Sequence, residues 1–395
     1  SSTNVKLRWN YGLAGLSDTL TNAISEYKVF GIEMVYVPQG SFYVGDGISE
    51  SCNRFYKYNG NDQNTPYLIN SESSISVGNT NNYLYYDAHQ YSGDGQGPIP
   101  NSFPKGYNSF YCAKNEITQQ QYVDFLNTLT RAQQINRVAT NVSGTSVTNR
   151  FVMSNTSSVT NRNGIRCDAT LPSSPTPIVF YCDFNSNGTK NENDDGQNII
   201  CNYLSWADGI SYADWAGLRP MTELEFEKAA RGTKSPVANE YVWGSSPISQ
   251  ANAVSNSGKN NESVTSGNCN YMTTSNPNNG PIRAGIYSGN TRQALGASYY
   301  GVLELGGSLW EMVVTVGHTN GRIFTGNNGD GKLDSTGSAN TVNWPGNNAE
   351  GIGFRGGSWG TPINTYHRYL NTSSRYNAAT VESSRRAYDS VRLVR

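Results

Sequence analysis

The sequence predicts an α+β fold with few short helices, small sheets and much ordered loop. Two helix signals lie next to each other in the middle of the chain, at residues 205–216 and 222–232. Elsewhere, the apolar–polar alternation that is typical of strands is confined to short segments, among them residues 30–45 and 388–395. The long stretches between these segments are rich in Tyr, Asn, Ser and Gly. Such long loops are usually functional or held to the body of the protein.

The second of the two central helices has the clearest signals. Thr222 is followed three residues later by Glu225, the spacing of a capping box, in which each side chain bonds a free backbone N–H at the helix start. Gly232 stands where a residue with positive φ often ends a helix. The preceding helix has the same design, because Ser205 and Asp208 can cap its start.

Other segments predict the remaining elements of the core. Residues 30–45 alternate around a Pro-Gln-Gly turn at residues 38–40, which predicts a hairpin. A further helix should begin at Thr118, with Gln121 completing its capping box. Residues 388–395 alternate again, and we expect them to form the last strand of the core sheet.

Five motifs, in the same order along the chain, resemble those of the formylglycine-generating enzyme (sulfatase-modifying factor) domain family. They are residues 33–42, 116–122, 218–232, 307–311 and 354–359. The resemblance covers roughly residues 29–395, and the order of five motifs makes it specific. It implies the family's compact variant of the C-type-lectin-like fold, with small antiparallel sheets.

The resemblance also implies where catalytic residues would lie. In active members of the family, two cysteines after the Gly-Gly-Ser motif bind copper(I) and oxidise a substrate cysteine. Thr361 and Tyr366 occupy those positions here, and neither offers the soft ligand that copper(I) requires. An iron-dependent branch of the family uses a histidine cluster, whereas this chain has three scattered histidines. We therefore predict a non-catalytic member that binds neither copper nor iron.

A structural calcium site is a further implication of the resemblance. Its ligands correspond to the side chains of Glu304 and Glu311 and to the backbone carbonyls of Gly307 and Leu309. Hard oxygen ligands from one tight turn suit Ca²⁺. The alternative is that both glutamates are surface acids and that Trp310 is simply a core residue.

A second, weaker calcium site is predicted from spacing alone. Counted from Asp183, oxygen-bearing side chains recur at positions 1, 3 and 5, Gly follows at position 6, and a carboxylate closes the loop at Asp194, position 12, or at Asp195. The candidate ligands are Asp183, Asn185, Asn187 and Asp194. The loop departs from the EF-hand pattern in its Asp at position 12 and its lack of flanking helices. A solvated Asn/Asp turn is about equally consistent with these residues.

The predicted domain organisation is one family domain with an N-terminal addition. Residues 1–28 should form an arm with a candidate strand at residues 5–11, which could pair within the chain or add to a neighbouring subunit. The family domain, residues 29–395, should contain a long loop at residues 46–109 and an insertion at about residues 128–200.

Composition excludes some classes of function and suggests a compartment. Only 15% of residues are charged, the net charge is −1, and no basic cluster suggests a nucleic-acid groove. No apolar run approaches the roughly 20 residues of a transmembrane helix. Six cysteines without a Cys-x-x-Cys pair predict at least two disulfides, with residues 167–201 contributing, and an oxidising, extracellular setting. Buried free thiols are the alternative. The chain begins with Ser, and we interpret it as a secreted protein whose signal peptide has been removed.

These observations favour a non-enzymatic, extracellular surface protein. It would be either a self-assembling filament or surface-layer subunit, associating through its arm or Tyr/Asn-rich loops, or a lectin-like module that binds a glycan or protein. The alternative is an enzyme with altered chemistry in the equivalent cleft. Asp-Ser/Thr motifs and five sequons indicate possible glycosylation. The sequons are at Asn141, Asn155, Asn187, Asn261 and Asn371.

Overall fold

The computed structural model describes residues 29–48, 54–60, 62–190, 192–363 and 368–395. The predicted N-terminal arm, Cys52 and Tyr366 lie outside the described residues. Residues from Met34 to the C-terminus form one compact unit. No helix among the described residues is long and apolar enough to cross a membrane.

Three of the five described helices begin at the predicted caps Thr118, Ser205 and Thr222, whereas the other two were not predicted. Those of the described part are α1 (Gln119–Leu126), α2 (Arg131–Gln134), α3 (Trp206–Trp215), α4 (Glu223–Arg231) and α5 (Thr319–Arg322). The first four start at capping boxes, so that the free backbone N–H groups of their first turns are satisfied locally. Gly232 ends α4 at a φ of 66°.

The strands are short and form small sheets. They are β1 (Met34–Val37), β2 (Phe42–Val44), β3 (Tyr56–Lys57), β4 (Tyr67–Ile69), β5 (Leu84–Tyr85), β6 (Phe110–Ala113), β7 (Ile165–Arg166), β8 (Tyr181–Cys182), β9 (Arg219–Pro220), β10 (Trp310–Val314), β11 (Ile352–Arg355), β12 (Asp389–Val391) and β13 (Leu393–Val394). One sheet has the order β1-β6-β13-β9 and another β11-β10-β12, while three ribbons have two strands each. All pairs are antiparallel except β10–β12. The predicted α+β class is thus confirmed.

The predicted hairpin at residues 30–45 was wrong. β1 pairs with β6 and β2 pairs with β4, so the two strands belong to different sheets. The reason lies in the turn between them. The Gly40 N–H donates to the Tyr107 carbonyl at 2.9 Å, and its own carbonyl accepts from the Lys228 ammonium. The turn is therefore bonded to the body of the protein, and the chain leaves it in a new direction.

The C-terminal segment forms a core strand as predicted, but it serves two sheets. β12 lies parallel to β10, and β13 lies between β6 and β9. Arg392 stands between β12 and β13, and its side chain is fully buried. The last residues of the chain therefore join the two larger sheets.

The described part of the long loop at residues 46–109 is anchored to the body. The Tyr86 hydroxyl donates to the Val316 carbonyl at 3.1 Å, and an Arg375 guanidinium N–H donates to the Ser92 carbonyl at 3.1 Å. The loop also contains β3, β4 and β5. These contacts explain how a stretch with so little periodicity becomes ordered.

A buried charge network surrounds α4. Within it, the Glu223 carboxylate accepts from Arg375 at 2.7 Å, from Arg355 at 3.0 Å and from the Val316 N–H at 2.9 Å. Burial opposes ionisation of Glu223, but Arg375 and then Arg355 outweigh it and lower its pKa. The carboxylate is therefore charged in the core and satisfied on both oxygens.

Glu227, one turn further along α4, completes this network. Its carboxylate accepts from Arg355 at 2.7 Å, from Arg231 at 3.1 Å and from the Gly45 N–H at 2.9 Å. Glu223, Glu227, Arg355 and Arg231 are all buried. One helix face thus fixes β11, the residues after β2 and the segment that follows β11.

The prediction of at least two disulfides was wrong for the described cysteines. All five are buried free thiols: Cys112, Cys167, Cys182, Cys201 and Cys269. Burial raises the pKa of Cys112 to about 12 and that of Cys167 to about 11. Each thiol is packed as a small apolar side chain in the core, where a neutral S–H is favoured. The described cysteines therefore do not indicate an oxidising compartment.

The structure also limits which glycosylation motifs are accessible. Asn371 is buried, and its amide donates to the Asn239 carbonyl at 2.8 Å. Asp389, in the last Asp-Ser motif, is buried within β12. Asn141 and Asn155 lie outside the core, and Asn155 adopts a φ of 54° in a turn. We therefore exclude Asn371 and the motif at Asp389 as sites in the folded protein.

Replacing Glu223 with Gln should lower the free energy of unfolding by about 3–5 kcal/mol, because the buried guanidinium groups of Arg355 and Arg375 would lose their counter-charge. Denaturant titration would measure this difference. Glu350→Gln is the matched control, since Glu350 is exposed and accepts one hydrogen bond from Asn320. The control should change stability by less than about 1 kcal/mol. Equal effects of the two substitutions would contradict the central role of the network.

Candidate functional site

The position of the family's first copper ligand is occupied by a buried hydroxyl. Thr361 Oγ1 accepts from the Ser358 N–H at 2.8 Å and lies 3.2 Å from Ser358 Oγ. A Cβ on Gly357 would lie 2.5 Å from a Leu370 methyl carbon, so the surrounding turn is tightly packed. Thr361 therefore closes a turn in the structure and presents no soft ligand. Tyr366 lies outside the described residues, and the lack of copper chemistry stays a prediction.

The two described histidines both have structural contacts. His318 caps α5, with its Nδ1 accepting from the Asn320 N–H at 3.1 Å. The His89 ring lies 5.6 Å from that of Tyr91 and 5.7 Å from that of Tyr376. Neither arrangement requires a metal, and His367 lies outside the described residues.

Glu304 and Glu311 are buried, which overturns the alternative that they are surface acids. One oxygen of each has a partner: Glu304 Oε1 accepts from the Gly285 N–H at 2.7 Å, and Glu311 Oε1 accepts from Arg392 Nε at 2.7 Å. The Oε2 atom of each is buried and has no hydrogen-bond partner among the described residues. Unpartnered buried carboxylate oxygens are costly unless a cation lies nearby.

The turn that carries these glutamates has an unusual backbone. Glu304, Gly307 and Ser308 have φ values of 53°, 79° and 59°. These lie in the left-handed region of backbone conformation, which residues other than glycine rarely adopt. A Cβ on Gly307 would lie 2.5 Å from the Cys269 sulfur, so only glycine fits there. The Ser308 N–H donates to the Asn270 carbonyl at 2.8 Å and helps to hold the turn.

Glu116 is a third acid at this site, and sequence reasoning missed it. Its side chain is buried, and neither carboxylate oxygen has a hydrogen-bond partner among the described residues. Burial, and then the charge of Glu311, raises the pKa of Glu116 well above its usual range. Glu116 opens the 116–122 motif, but it precedes the cap of α1, and no local pattern indicated that its side chain would be buried.

The residues at this site fit a divalent cation in charge and in ligand type. Burial raises the pKa of Glu304 to about 7, although Arg392 opposes the shift, and the pKa of Glu311 is also raised. Arg392, with a smaller contribution from Arg283 at Glu304, does not offset three ionised carboxylates, and a Ca²⁺ ion would stabilise their charged forms. Glu304 and Glu311 would hold it through their free oxygens. The carboxylate oxygens of Glu116, Glu304 and Glu311 do not all lie within 4.8 Å of one another.

Of the four ligands predicted in the loop after β8, the structure brings three together and places the fourth, Asp183, elsewhere. Asp183 is buried in an ion pair with Arg166 and accepts from the Gly188 N–H at 3.2 Å. By contrast, Asn185 donates to Asp194 Oδ1 at 3.0 Å, in a group on the exposed side of the loop. Asn187 joins the same group through a hydrogen bond to Glu192. Three of the predicted residues are thus brought together, and Asp183 is not one of them.

A pocket of about 410 Å³ lies in the long loop. Its polar and aromatic lining includes Asn79, Tyr85, Tyr86, Asp94 and Gln96. The Tyr85 ring lies 4.9 Å from that of Tyr56 and 5.5 Å from that of Tyr58. In this part of the predicted Tyr-rich surface, three tyrosine rings therefore form a cluster of tilted aromatic contacts at the edge of the pocket.

The acid in this pocket is fixed in place. Arg322 donates to both oxygens of Asp94, at 2.9 and 2.8 Å, and the Tyr86 hydroxyl lies 3.1 Å from Asp94 Oδ1. Burial opposes ionisation of Asp94, but the hydrogen bonds from Arg322 outweigh it and lower its pKa. The pocket therefore contains an ionised, oriented acceptor at neutral pH.

A smaller pocket of about 240 Å³ lies near the end of the same loop. There the Glu72 carboxylate accepts from the backbone N–H groups of Lys105 at 2.8 Å, Tyr107 at 2.9 Å and Asn108 at 3.0 Å. This pocket is smaller and has no tyrosine in its lining, so we consider the larger pocket the better candidate for a ligand.

If the candidate site binds calcium, replacing Glu304 with Gln should change protein stability in opposite directions with and without the ion. Without calcium, Glu304 has a pKa of about 7 in the folded state against an ordinary 4.5. As pH rises between these values, the unfolded state releases a proton that the folded state keeps, so stability falls by on the order of 3 kcal/mol. In chelator at pH 8, Glu304→Gln should therefore be more stable than the wild type. In saturating calcium it should be less stable, because a ligand is lost.

Thermal denaturation at pH 5 and pH 8, with and without calcium, measures this reversal. Glu350→Gln should shift neither curve. A Glu304→Gln effect of the same sign and size in calcium and in chelator would contradict the site.

Comparison with known proteins agrees with the five motifs. A model of the sulfatase-modifying factor enzyme 1-like domain matches residues 23–387, whereas a search of curated proteins finds no significant match. PvdO from Pseudomonas aeruginosa is 17% identical, over 92% of this chain and 93% of its own, with a TM-score of 0.39. CarF is 13% identical, and the alignment covers 92% of this chain and 98% of CarF, with a TM-score of 0.35. Treponema denticola variable protein 1 is 13% identical, over 91% and 94%, with a TM-score of 0.30. From its motifs and this match, the chain belongs to the sulfatase-modifying factor enzyme 1-like domain family.

Proposed function

We propose that this chain is a non-catalytic, extracellular binding module that takes a small polar ligand, such as a sugar unit, in the pocket of its long loop. The observation that carries the proposal is a pocket of about 410 Å³ that combines a tyrosine cluster with amide and carboxylate side chains. Ligand sites are typically concave, with aromatic walls and a few oriented polar groups.

The lining matches the chemistry of a sugar. An aromatic ring such as that of Tyr85 offers an apolar face against which a sugar ring can pack. The exposed amides of Asn79 and Gln96 both donate and accept hydrogen bonds, whereas the Asp94 carboxylate already accepts four and fixes the pocket wall. Hydroxyl groups, which are donors and acceptors at once, are well suited to such a set.

The pocket is also rigid enough to bind without large reorganisation. Arg322 and Tyr86 fix Asp94, and the Asp94 N–H donates to the Gly317 carbonyl at 2.9 Å. The pocket walls are thereby joined to the core through the residues after β10. A preorganised site loses less conformational entropy on binding.

A non-catalytic role is supported by the chemistry around the family's catalytic position. Thr361 is committed to a structural turn. Burial raises the pKa of all five described thiols, so none is an activated thiolate. An extracellular location is part of the proposal and is favoured by the low charged fraction of 15%.

Self-assembly is the second candidate function, and one observation favours it. Among the described residues, β1 is at the edge of its sheet. Tyr36 on β1 and Tyr111 on β6 are 52% and 48% exposed, with ring centroids 5.2 Å apart. Edge strands with exposed apolar side chains can add a strand from another subunit. Ordered polymers in negative stain would favour this role over that of a free binding module.

The pocket is tested by a glycan-array screen followed by calorimetry with the best glycan. Replacing both Asn79 and Gln96 with Ala should weaken binding by roughly 5- to 100-fold, since each lost hydrogen bond contributes about 0.5–1.5 kcal/mol. The matched control is Asn101→Ala at the rim of the smaller pocket, which should leave the affinity unchanged. Failure of the folded protein to bind any glycan, or an equal loss in the control, would count against the proposal.

A further inference from the structure

We propose that the inserted loop after β8 binds a calcium ion through the carboxylates of Glu192, Asp194 and Asp195. Each of these residues offers a carboxylate oxygen within 4.8 Å of the oxygens of the other two. They form the only such group of three His, Cys, Asp or Glu side chains in the described part of the chain. This ligand set keeps the closing carboxylates Asp194 and Asp195 that the spacing suggested and adds Glu192. It leaves out the other predicted ligands, Asp183, Asn185 and Asn187.

An unsatisfied buried oxygen supports a cation here. Asp195 is fully buried, and its Oδ2 accepts from the Glu192 N–H at 2.8 Å. Its Oδ1 is also buried but has no hydrogen-bond partner among the described residues. A shielded carboxylate oxygen without a donor is destabilising by itself, and a cation bound by the adjacent carboxylates would satisfy it.

The nearby positive charges are already used by other acids. Arg166 forms a buried ion pair with Asp183, and the Lys190 ammonium lies 3.0 Å from Asp168. Asn185 donates its amide N–H to Asp194 at 3.0 Å and to Glu192 at 3.3 Å, which satisfies oxygens without neutralising charge. The group therefore keeps an excess of negative charge. All its donors are hard oxygens, which suits Ca²⁺ better than a transition metal.

The base of the loop is fixed, so the ligands are held near one another before an ion binds. The Phe184 N–H donates to the Asp195 carbonyl at 3.2 Å, joining the two ends. A Cβ on Gly164 or Gly258 would lie 2.9 or 2.4 Å from atoms of Phe184, so this residue is tightly packed against both glycines. The exposed tip, which includes Lys190, projects from this base.

Lys190 makes the site testable by limited digestion with trypsin, which cleaves after exposed lysines. Calcium binding should close the loop and slow cleavage after Lys190, by up to about 100-fold when calcium is 100 times its Kd. Mass spectrometry of the fragments locates the cut, and calorimetry counts the ions bound. Glu192→Gln and the Asp194→Asn/Asp195→Asn pair should each abolish the calcium-dependent protection.

The matched control is Asp330→Asn, an exposed acid in another Asn/Gly-rich loop, which should keep the full protection. Circular dichroism of each variant shows whether it is folded, and Glu192→Gln alone carries the test if the double variant is not. Equal cleavage rates in calcium and chelator for the wild type would overturn the proposal. So would calcium protection that persists in folded Glu192→Gln.

Discussion

The constraint on which the rest of the structure depends is the burial of two carboxylates on one face of α4. Glu223 and Glu227 are inside the core, so they must be neutralised by guanidinium groups brought from other parts of the chain. Arg355 reaches both acids, Arg375 reaches Glu223, and backbone N–H groups supply the remaining donors. The same Arg375 also bonds the long loop at Ser92. Few regular elements are needed when buried ion pairs specify how the loops meet.

The same electrostatic rule explains the two candidate calcium sites. At the turn after Glu304, three buried glutamates share the positive charge of Arg392, to which Arg283 adds at Glu304. In the inserted loop, Arg166 and Lys190 pair with other acids, and no ion pair to the three carboxylates is found among the described residues. Around α4, by contrast, arginines are present in sufficient number. The excess of negative charge at the first two sites, buried at the glutamates and partly exposed in the inserted loop, is what a divalent ion would offset.

Local features were predictable from the sequence, and long-range ones were not. The caps at Thr118, Ser205 and Thr222 depend on residues three positions apart, so spacing alone located the starts of these three helices. The partner of β1 depends on bonds from Gly40 to distant residues, which no local pattern reveals. The same limit applies to the cysteines, because their even number suggested disulfides but the packing of each thiol decided the outcome. It also applies to Glu116, whose role depends on neighbours far along the chain.

The chain thus keeps the motifs of its family, but no thiol stands at the two positions that match the family's copper-binding cysteines. Thr361 stands where a copper ligand would be, and the remaining candidate features are oxygen-rich sites and a polar pocket. The most direct measurement is an aldehyde assay on a cysteine-containing sulfatase peptide incubated with the purified protein, with and without copper(I). A catalytically active family member serves as the positive control. The account predicts no conversion of the peptide cysteine to formylglycine. Robust formation of the aldehyde would contradict it.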